Sequence, residues 1–482
     1  MYQKFKVILS SPWLLRASIG LFVLQAVFLS FAVPYKSPSD EEYHFRLTDI
    51  YSQRSVLAGP VITDQTDNFN LGDIQRTPGY LYHYLMSFIL RSIKPVFKTV
   101  ESQVLVLRLV NVALGVWAIL LFVHLLKRIR ARGMVVNLTV AWLAMTTMFT
   151  WVFAALSYDN LAFVLFFGLL HVLLSLYQKT RFLSTLHALA LSFALMLTKE
   201  TFLPVIFLCY VLLAVGLLRR QSLPKLRDTL VRSLTADWQK SAGRKLVVLA
   251  SLLVLVTGGL FVERYGQNYI RYHKTTPACN QVHSEEECMR SSIYRRNTGQ
   301  RKEYVAYLQN GGKPSMNSGT FFVKWWRLIY ERTYFFRGMA TTNPTWQARI
   351  VASVTAPILL LLALFGWRKV RLHEVEKALA ILTGTYIVLV FFYNYNAYRY
   401  YGYPFAIQGR YLLPVLPFFY YLILRGMLST YGLLKLRWRK AMLVILTILL
   451  TVNILFHLPL MIYRHKGDLL KYPEARIIQY IA

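Results

Sequence analysis

Five short clusters in this chain carry side chains suited to proton transfer or to anion binding. The first is Asp40-Glu41-Glu42, followed closely by His44. A carboxylate there can take a proton from an acceptor hydroxyl or ligate a divalent cation of the Mg or Mn class. If a helix starts near Ser39, then Ser39 or Asp40 is its N-cap, and Asp40 and His44 share a face. The second cluster, Arg76-Thr77-Pro78-Gly79-Tyr80 with His83, joins a cation and an imidazole to a Pro-Gly turn. The turn accounts for Pro78 and Gly79, and leaves Arg76 and His83 as candidate substrate contacts. In the third, Ser157-Tyr158-Asp159-Asn160, Asp159 either caps the next helix or meets substrate or metal. The fourth, Lys199-Glu200, interrupts an apolar run from Leu183 to Leu218. Charges at that depth are costly and raise a functional reading, against a tight turn in which the pair satisfies itself. In the fifth, Gln408-Gly409-Arg410-Tyr411, the fork of donors on Arg410 suits a phosphate and Gly409 permits close backbone approach. Tyr411 stands beside it as a further substrate contact.

Such scattered groups make a site only when the fold gathers them, and the composition names the means. The chain has 482 residues, is 56% hydrophobic and 16% charged, and has mean hydropathy +0.40, which excludes a soluble enzyme. A helix needs about 20 apolar residues to cross a hydrocarbon core about 30 Å thick. Apolar runs predict spans at 11–33, 104–126, 134–152, 160–177, 183–198, 201–218, 246–263, 349–366, 378–394, 411–424 and 441–463. The fold class is therefore an all-α polytopic membrane protein of about eleven spans. Segment 78–94, with its Pro-Gly start and internal His83, reads as a helix lying at the interface.

Lys and Arg number 55 against 22 Asp and Glu, a formal charge of +33. Its distribution argues against nucleic acid. With the N-terminus in the cytoplasm and sides alternating, the cytoplasmic segments hold Lys127/Arg128/Arg130/Arg132, Lys179/Arg181, Arg219 to Lys245, Arg368 to Lys377 and Arg425 to Lys440. The short loops opposite carry only Lys199 and Arg399 before Arg410. This is the positive-inside pattern, reinforced by attraction to anionic headgroups. It places the five clusters on the non-cytoplasmic face. The first apolar run passes its core without a small-residue cleavage site and reads as a retained span.

One transmembrane domain, 1–482, then carries a first external loop (34–103), a basic cytoplasmic loop (219–245) and a large external loop (264–348). Phe321 to Trp326 and Tyr334-Phe335-Phe336 mix aromatics with cations as helices in a headgroup layer do. Cys209 falls inside a predicted helix as a small apolar residue. Cys279 and Cys288 lie in the large external loop, where a disulfide can form. With no matching His or Cys pair they do not suggest zinc.

Taken together, the plan resembles the GT-C superfamily of integral-membrane glycosyltransferases, whose best-known members include protein O-mannosyltransferases and lipid A aminoarabinose transferases. The residues that carry the resemblance are an acidic pair just after the first span, an interfacial helix in the same loop, and many spans thereafter. A closer likeness is to poorly characterised bacterial membrane proteins with a Pro-x-Asp-Glu-x-x-His run (Pro38, Asp40, Glu41, His44), an Asp159 turn and a Gly-Arg-Tyr-x-x-Pro run (Gly409, Arg410, Tyr411, Pro414). The resemblance implies a polyprenyl-phosphate sugar donor, with a glycan, lipid or protein acceptor. It makes Asp40 the base or acceptor-orienting residue, Glu41 its understudy, and Arg410 the ligand of the donor phosphate. His44 and Asp159 would assist through acceptor contacts or a metal held by Asp40 and Asp159. The chain departs from oligosaccharyltransferases, since Trp325-Trp326 is followed by Arg327 rather than Asp. About 19 residues follow the last expected span, so no large C-terminal soluble domain is expected. Two rival readings stand beside this one. A transporter or lipid flippase needs ionisable groups deep in several helices. A surface-polysaccharide polymerase or ligase would move the chemistry to Arg271, His273, Arg295 and Arg296.

Overall fold

A computed structural model describes residues 7–35, 40–54, 76–334, 360–368, 370, 372–435 and 439. Among them every regular element is helical. The helices are α1 (Pro12–Ala32), α2 (Glu41–Gln53), α3 (Leu81–Ile93), α4 (Val100–Arg128), α5 (Gly133–Ala144), α6 (Thr147–Phe153), α7 (Tyr158–Gln178), α8 (Phe182–Thr198), α9 (Leu203–Leu218), α10 (Leu223–Gln239), α11 (Ser241–Phe261), α12 (Gln267–Tyr272), α13 (Cys279–Val282), α14 (Glu285–Cys288), α15 (Ser292–Gln309), α16 (Ser318–Tyr334), α17 (Glu374–Tyr401) and α18 (Leu416–Leu433).

Six stretches among the described residues are long and apolar enough to cross a membrane: α1, α4, α7, Glu200–Leu218, Ser241–Tyr272 and α17. This makes the chain a polytopic helical protein with several membrane-crossing helices. Three expected boundaries change. The span expected at 134–152 is two helices, α5 and α6, bent by 70°, and counting them as one span gives seven. At the break, the Thr146 hydroxyl bonds the Trp142 carbonyl at 2.9 Å and the Tyr420 hydroxyl at 2.9 Å. A threonine that turns back on its own helix in this way bends it. The span expected to end at residue 263 instead runs on through a π-helical turn, Val262–Gly266, to Tyr272. The expected start at Tyr411 falls in a 3₁₀ turn, Gly409–Leu412, and α18 begins at Leu416 with Pro417 in its first turn. The expected 183–198 helix is present as α8, with 17 residues. The 441–463 run and most of 349–366 lie outside the described residues, as do Pro38, Ser39 and residues 64–70.

The chain divides into two compact units. The first comprises Met1–Glu42, Phe97–Leu156 and Tyr307–Ala482, and the second Tyr43–Val96 and Ser157–Ala306. In the first, α1 packs on α4, α5 and α6, while α18 meets α5 and α17. Lipid is as apolar as leucine, so close fit rather than apolar burial holds such helices together. Gly115 of α4 shows the fit: a Cβ there would lie 2.6 Å from Phe22 and 2.8 Å from Phe153. In the second unit α8 lies against α7 and α11, and α3 touches α7 and α8. Helix α10, in the basic 219–245 segment, buries none of its residues. Cys279 and Cys288 form a disulfide joining α13 to α14, and Cys209 is a buried free thiol in α9.

Candidate functional site

In the first unit two neighbouring carboxylates lead to two arginines. Glu41 opens α2 and is fully buried. Arg108 of α4 grips it with Nε at 2.8 Å and Nη2 at 2.6 Å, and the Leu156 backbone N–H adds a third bond at 3.1 Å. The remaining Arg108 donor reaches the carbonyls of Ser30 at 2.7 Å and Val33 at 2.6 Å. Those carbonyls lie at the end of α1, where the last turn has no intrahelical partners, so the guanidinium closes the helix as well as pairing the acid. Arg108, near the start of an apolar span, therefore clamps the exit of α1 to the entry of α2.

Asp40 sits on that clamp. Its φ of 65° is in the left-handed region, which aspartate tolerates better than most residues. This is not the extended backbone of an ordinary N-cap, and the carboxylate instead turns to Arg410, whose Nη2 donates to Oδ2 at 2.5 Å across 370 residues of chain. The Asp40 side chain is 45% exposed and that of Arg410 13%. Arg410 is held in the Gly409–Leu412 turn, which lies against α16: a Cβ on Gly409 would come within 2.6 Å of the Thr333 backbone nitrogen. The close approach expected of Gly409 is thus made to the chain's own backbone. The Tyr411 ring lies 6.0 Å from the Arg410 guanidinium carbon.

The second unit gathers another set. His44 of α2 and His83 of α3 are both buried, with Nδ1 and Nε2 2.8 Å apart and rings stacked at 5.1 Å. One nitrogen donates and the other accepts. Burial, and then the neighbouring His44, hold His83 well below the usual histidine range. The Tyr158 ring meets His44 edge-on at 4.9 Å and lies 5.1 Å from the Lys199 ammonium. Lys199 pairs with Asp159, both buried. Two expectations are corrected here. The cap of α7 is Ser157, whose hydroxyl accepts from the Asp159 N–H at 3.2 Å, and Asp159 itself reaches Lys199. Lys199 pairs with that acid, while Glu200 is exposed at the start of a 3₁₀ turn. Arg76 is taken up by its own unit: Nε bonds Asn268 at 2.7 Å, Nη1 bonds Glu263 at 2.9 Å, and Nη2 the Glu263 carbonyl at 3.1 Å. Arg271, His273, Arg295 and Arg296 are all exposed.

Sequence reasoning passed over Arg108 and Arg264. For Arg108 the signal was available, an arginine inside an apolar run; Arg264 lies just past the end of one and reads as the start of a loop. Among the described residues no group of three or more His, Cys, Asp and Glu side chains could hold a metal ion. Of the two carboxylates considered for a cation, Asp40 faces Arg410 and Asp159 faces Lys199. No protein-family model matches the chain, and no curated protein matches it in sequence.

Proposed function

We propose that the protein is a glycosyltransferase of the GT-C plan, moving a sugar from a polyprenyl-phosphate donor to a glycan, lipid or protein acceptor. The observation that supports this reading is the Asp40–Arg410 pair: a half-exposed carboxylate and a phosphate-suited guanidinium, distant in sequence, 2.5 Å apart. In the proposed reaction the donor phosphate takes the place of the Asp40 carboxylate on Arg410. Asp40, released, accepts the proton of the acceptor hydroxyl as its oxygen bonds to the anomeric carbon. The bond from that carbon to the phosphate oxygen breaks, and polyprenyl phosphate leaves with the electron pair. Arg410 stabilises the negative charge that develops on it. The scheme assigns no step to Glu41, which holds the turn that presents Asp40, or to the buried pairs of the second unit. About eleven spans, a cytoplasmic N-terminus in the plasma (inner) membrane and chemistry on the non-cytoplasmic face complete the proposal, on the strength of the positive-inside pattern.

Sugar transfer in proteoliposomes supplied with cell-derived polyprenyl-phosphate sugars tests it. Wild type should transfer, and Asp40→Asn and Arg410→Ala should both lose transfer while remaining folded. Undiminished transfer in Asp40→Asn would remove Asp40 as the base. Lipid movement across the bilayer without transfer would favour a flippase.

A further inference from the structure

Arg264 is fully buried in the second unit, in the π-helical turn that carries α11 into α12. Such turns recur at functional sites. Its Nη1 donates to the Thr77 carbonyl at 2.6 Å, its Nε lies 3.4 Å from a Glu263 oxygen, and its guanidinium carbon sits 4.5 Å from the centre of the Tyr80 ring. Among the described residues its Nη2 finds no hydrogen-bond partner although buried, and neither does the buried hydroxyl of Tyr80. Burial raises the Tyr80 phenol above its usual range, with Arg264 pulling the other way, so the hydroxyl stays a donor at neutral pH. Two donors on stacked side chains thus lack an acceptor, and leaving buried donors unsatisfied is costly.

Glu263 stands between two guanidinium groups, 2.9 Å from Arg76 and 3.4 Å from Arg264. Arg76 is committed to Glu263, Asn268 and two backbone carbonyls, and acts as the frame. Depth along the helix indicates the anion. From Lys245, in the basic first turn of α11, the helix rises about 29 Å to Arg264 at 1.5 Å per residue. That is about the 30 Å thickness of a hydrocarbon core. With Arg244 and Lys245 in one headgroup layer, Arg264 lies at the level of the other, where phosphate is the abundant anion.

We infer that Arg264 and Tyr80 form a phosphate site of the second unit that takes the phosphate head of a membrane lipid. Nη2 and the phenol donate to phosphoryl oxygens, and Arg76, Glu263 and Asn268 hold the guanidinium in place. The inference goes beyond the transferase reading and does not rest on it, because binding is measured without sugar or acceptor.

The test is calorimetric titration of the full chain in a phosphate-free maltoside micelle, with dihexanoyl phosphatidic acid as one probe and inorganic phosphate as the other. An Arg410→Ala background removes the phosphate ligand proposed for the first unit. Tyr80→Phe should weaken phosphatidic acid about tenfold, as loss of one hydrogen bond to a charged group does. Its ligand-free melting temperature should be unchanged or higher, because the hydroxyl removed had no partner. Arg264→Lys should weaken binding by more than that. Unchanged affinity in Tyr80→Phe would overturn the site. Inorganic phosphate binding as tightly as the lipid, with the same dependence on Tyr80, would overturn the lipid assignment.

Discussion

Asp40 and Glu41 are adjacent acids, each joined to an arginine from a distant part of the first unit, yet their surroundings differ in kind. Glu41 and Arg108 are 0% and 1% exposed, bound through two parallel contacts, with backbone partners filling the remaining positions. Asp40 is 45% exposed and meets Arg410 through one contact. Burial decides what each pair is for. A desolvated pair cannot exchange partners without stranding a charge, so it fixes geometry. A pair whose acid is half exposed leaves that acid within reach of a ligand that can replace it on the arginine. The chain sets the exchangeable acid one residue from the fixed one, and so the fixed pair determines where the exchangeable one stands.

The sharpest way to break this contrast is Arg108→Leu. It leaves Glu41 charged and buried, and should cost about 3–5 kcal/mol of stability, as breaking a buried pair does. Denaturant or thermal unfolding in micelles measures it. Replacing both partners, Glu41→Leu with Arg108→Leu, should recover part of that loss. The remainder reports the Ser30 and Val33 carbonyls that lose their donor. Asp40→Asn should show the opposite profile. Stability should fall by clearly less than in Arg108→Leu, because the Asp40 carboxylate is 45% exposed. Transfer, if Asp40 is the base, should fall by about 10²–10⁴. An Arg108→Leu protein as stable as wild type, or an Asp40→Asn protein as unstable as Arg108→Leu, would erase the distinction.

How far this was legible in the sequence follows from the same physics. Apolar runs exposed the helical class and most helix positions, because the bilayer imposes a length and a composition that any single run must meet. Asp40 and Arg410 were legible by residue type at span ends, and the structure brings these two together. Arg108 was not, because one arginine costs an apolar run little mean hydropathy, and its partners lie at residues 30, 33, 41 and 156. Pairings of that range leave no local trace. The bend at Met145–Thr146 interrupts a helix without interrupting its apolar pattern, whereas at Glu263-Arg264 the apolar pattern stops and the helix runs on through a π turn, so each break escapes a reading of apolar runs. The Ser157 cap was half legible, since Ser and Asp two residues apart are both good cap residues and only the position of Lys199 separates them.

The buried histidines of the second unit extend the contrast to pH. His83 is held neutral in the folded protein by burial and by His44, with Tyr43, Tyr82 and Tyr158 around the pair. Its folded value lies below the unfolded one, about 6.5, so the unfolded chain binds the additional proton. Stability is then fully present above pH about 6.5 and falls as the pH drops below it, by up to about 1.4 kcal/mol per unit for one group. Unfolding midpoints taken from pH 7.5 to 5.5 should show this slope in wild type and a shallower one in His83→Asn. Equal slopes would mean that the pair already shares a proton when folded.

The smallest effect separates cap from ion pair at the head of α7. Ser157→Ala removes a hydroxyl that accepts from the Asp159 N–H, and should cost about 1 kcal/mol, the usual price of an N-cap. Transfer should be untouched. Asp159→Asn leaves that cap in place but strips the buried Lys199 ammonium of its counter-charge, and the loss should be larger, because an unpaired buried charge costs more than a missing cap. The order of the two midpoints is the test. If Ser157→Ala proved the more damaging, Asp159 would belong with the exchangeable acids such as Asp40. With Asp159→Asn the more damaging, its pair with Lys199 belongs with Glu41 and Arg108, as a fixed support.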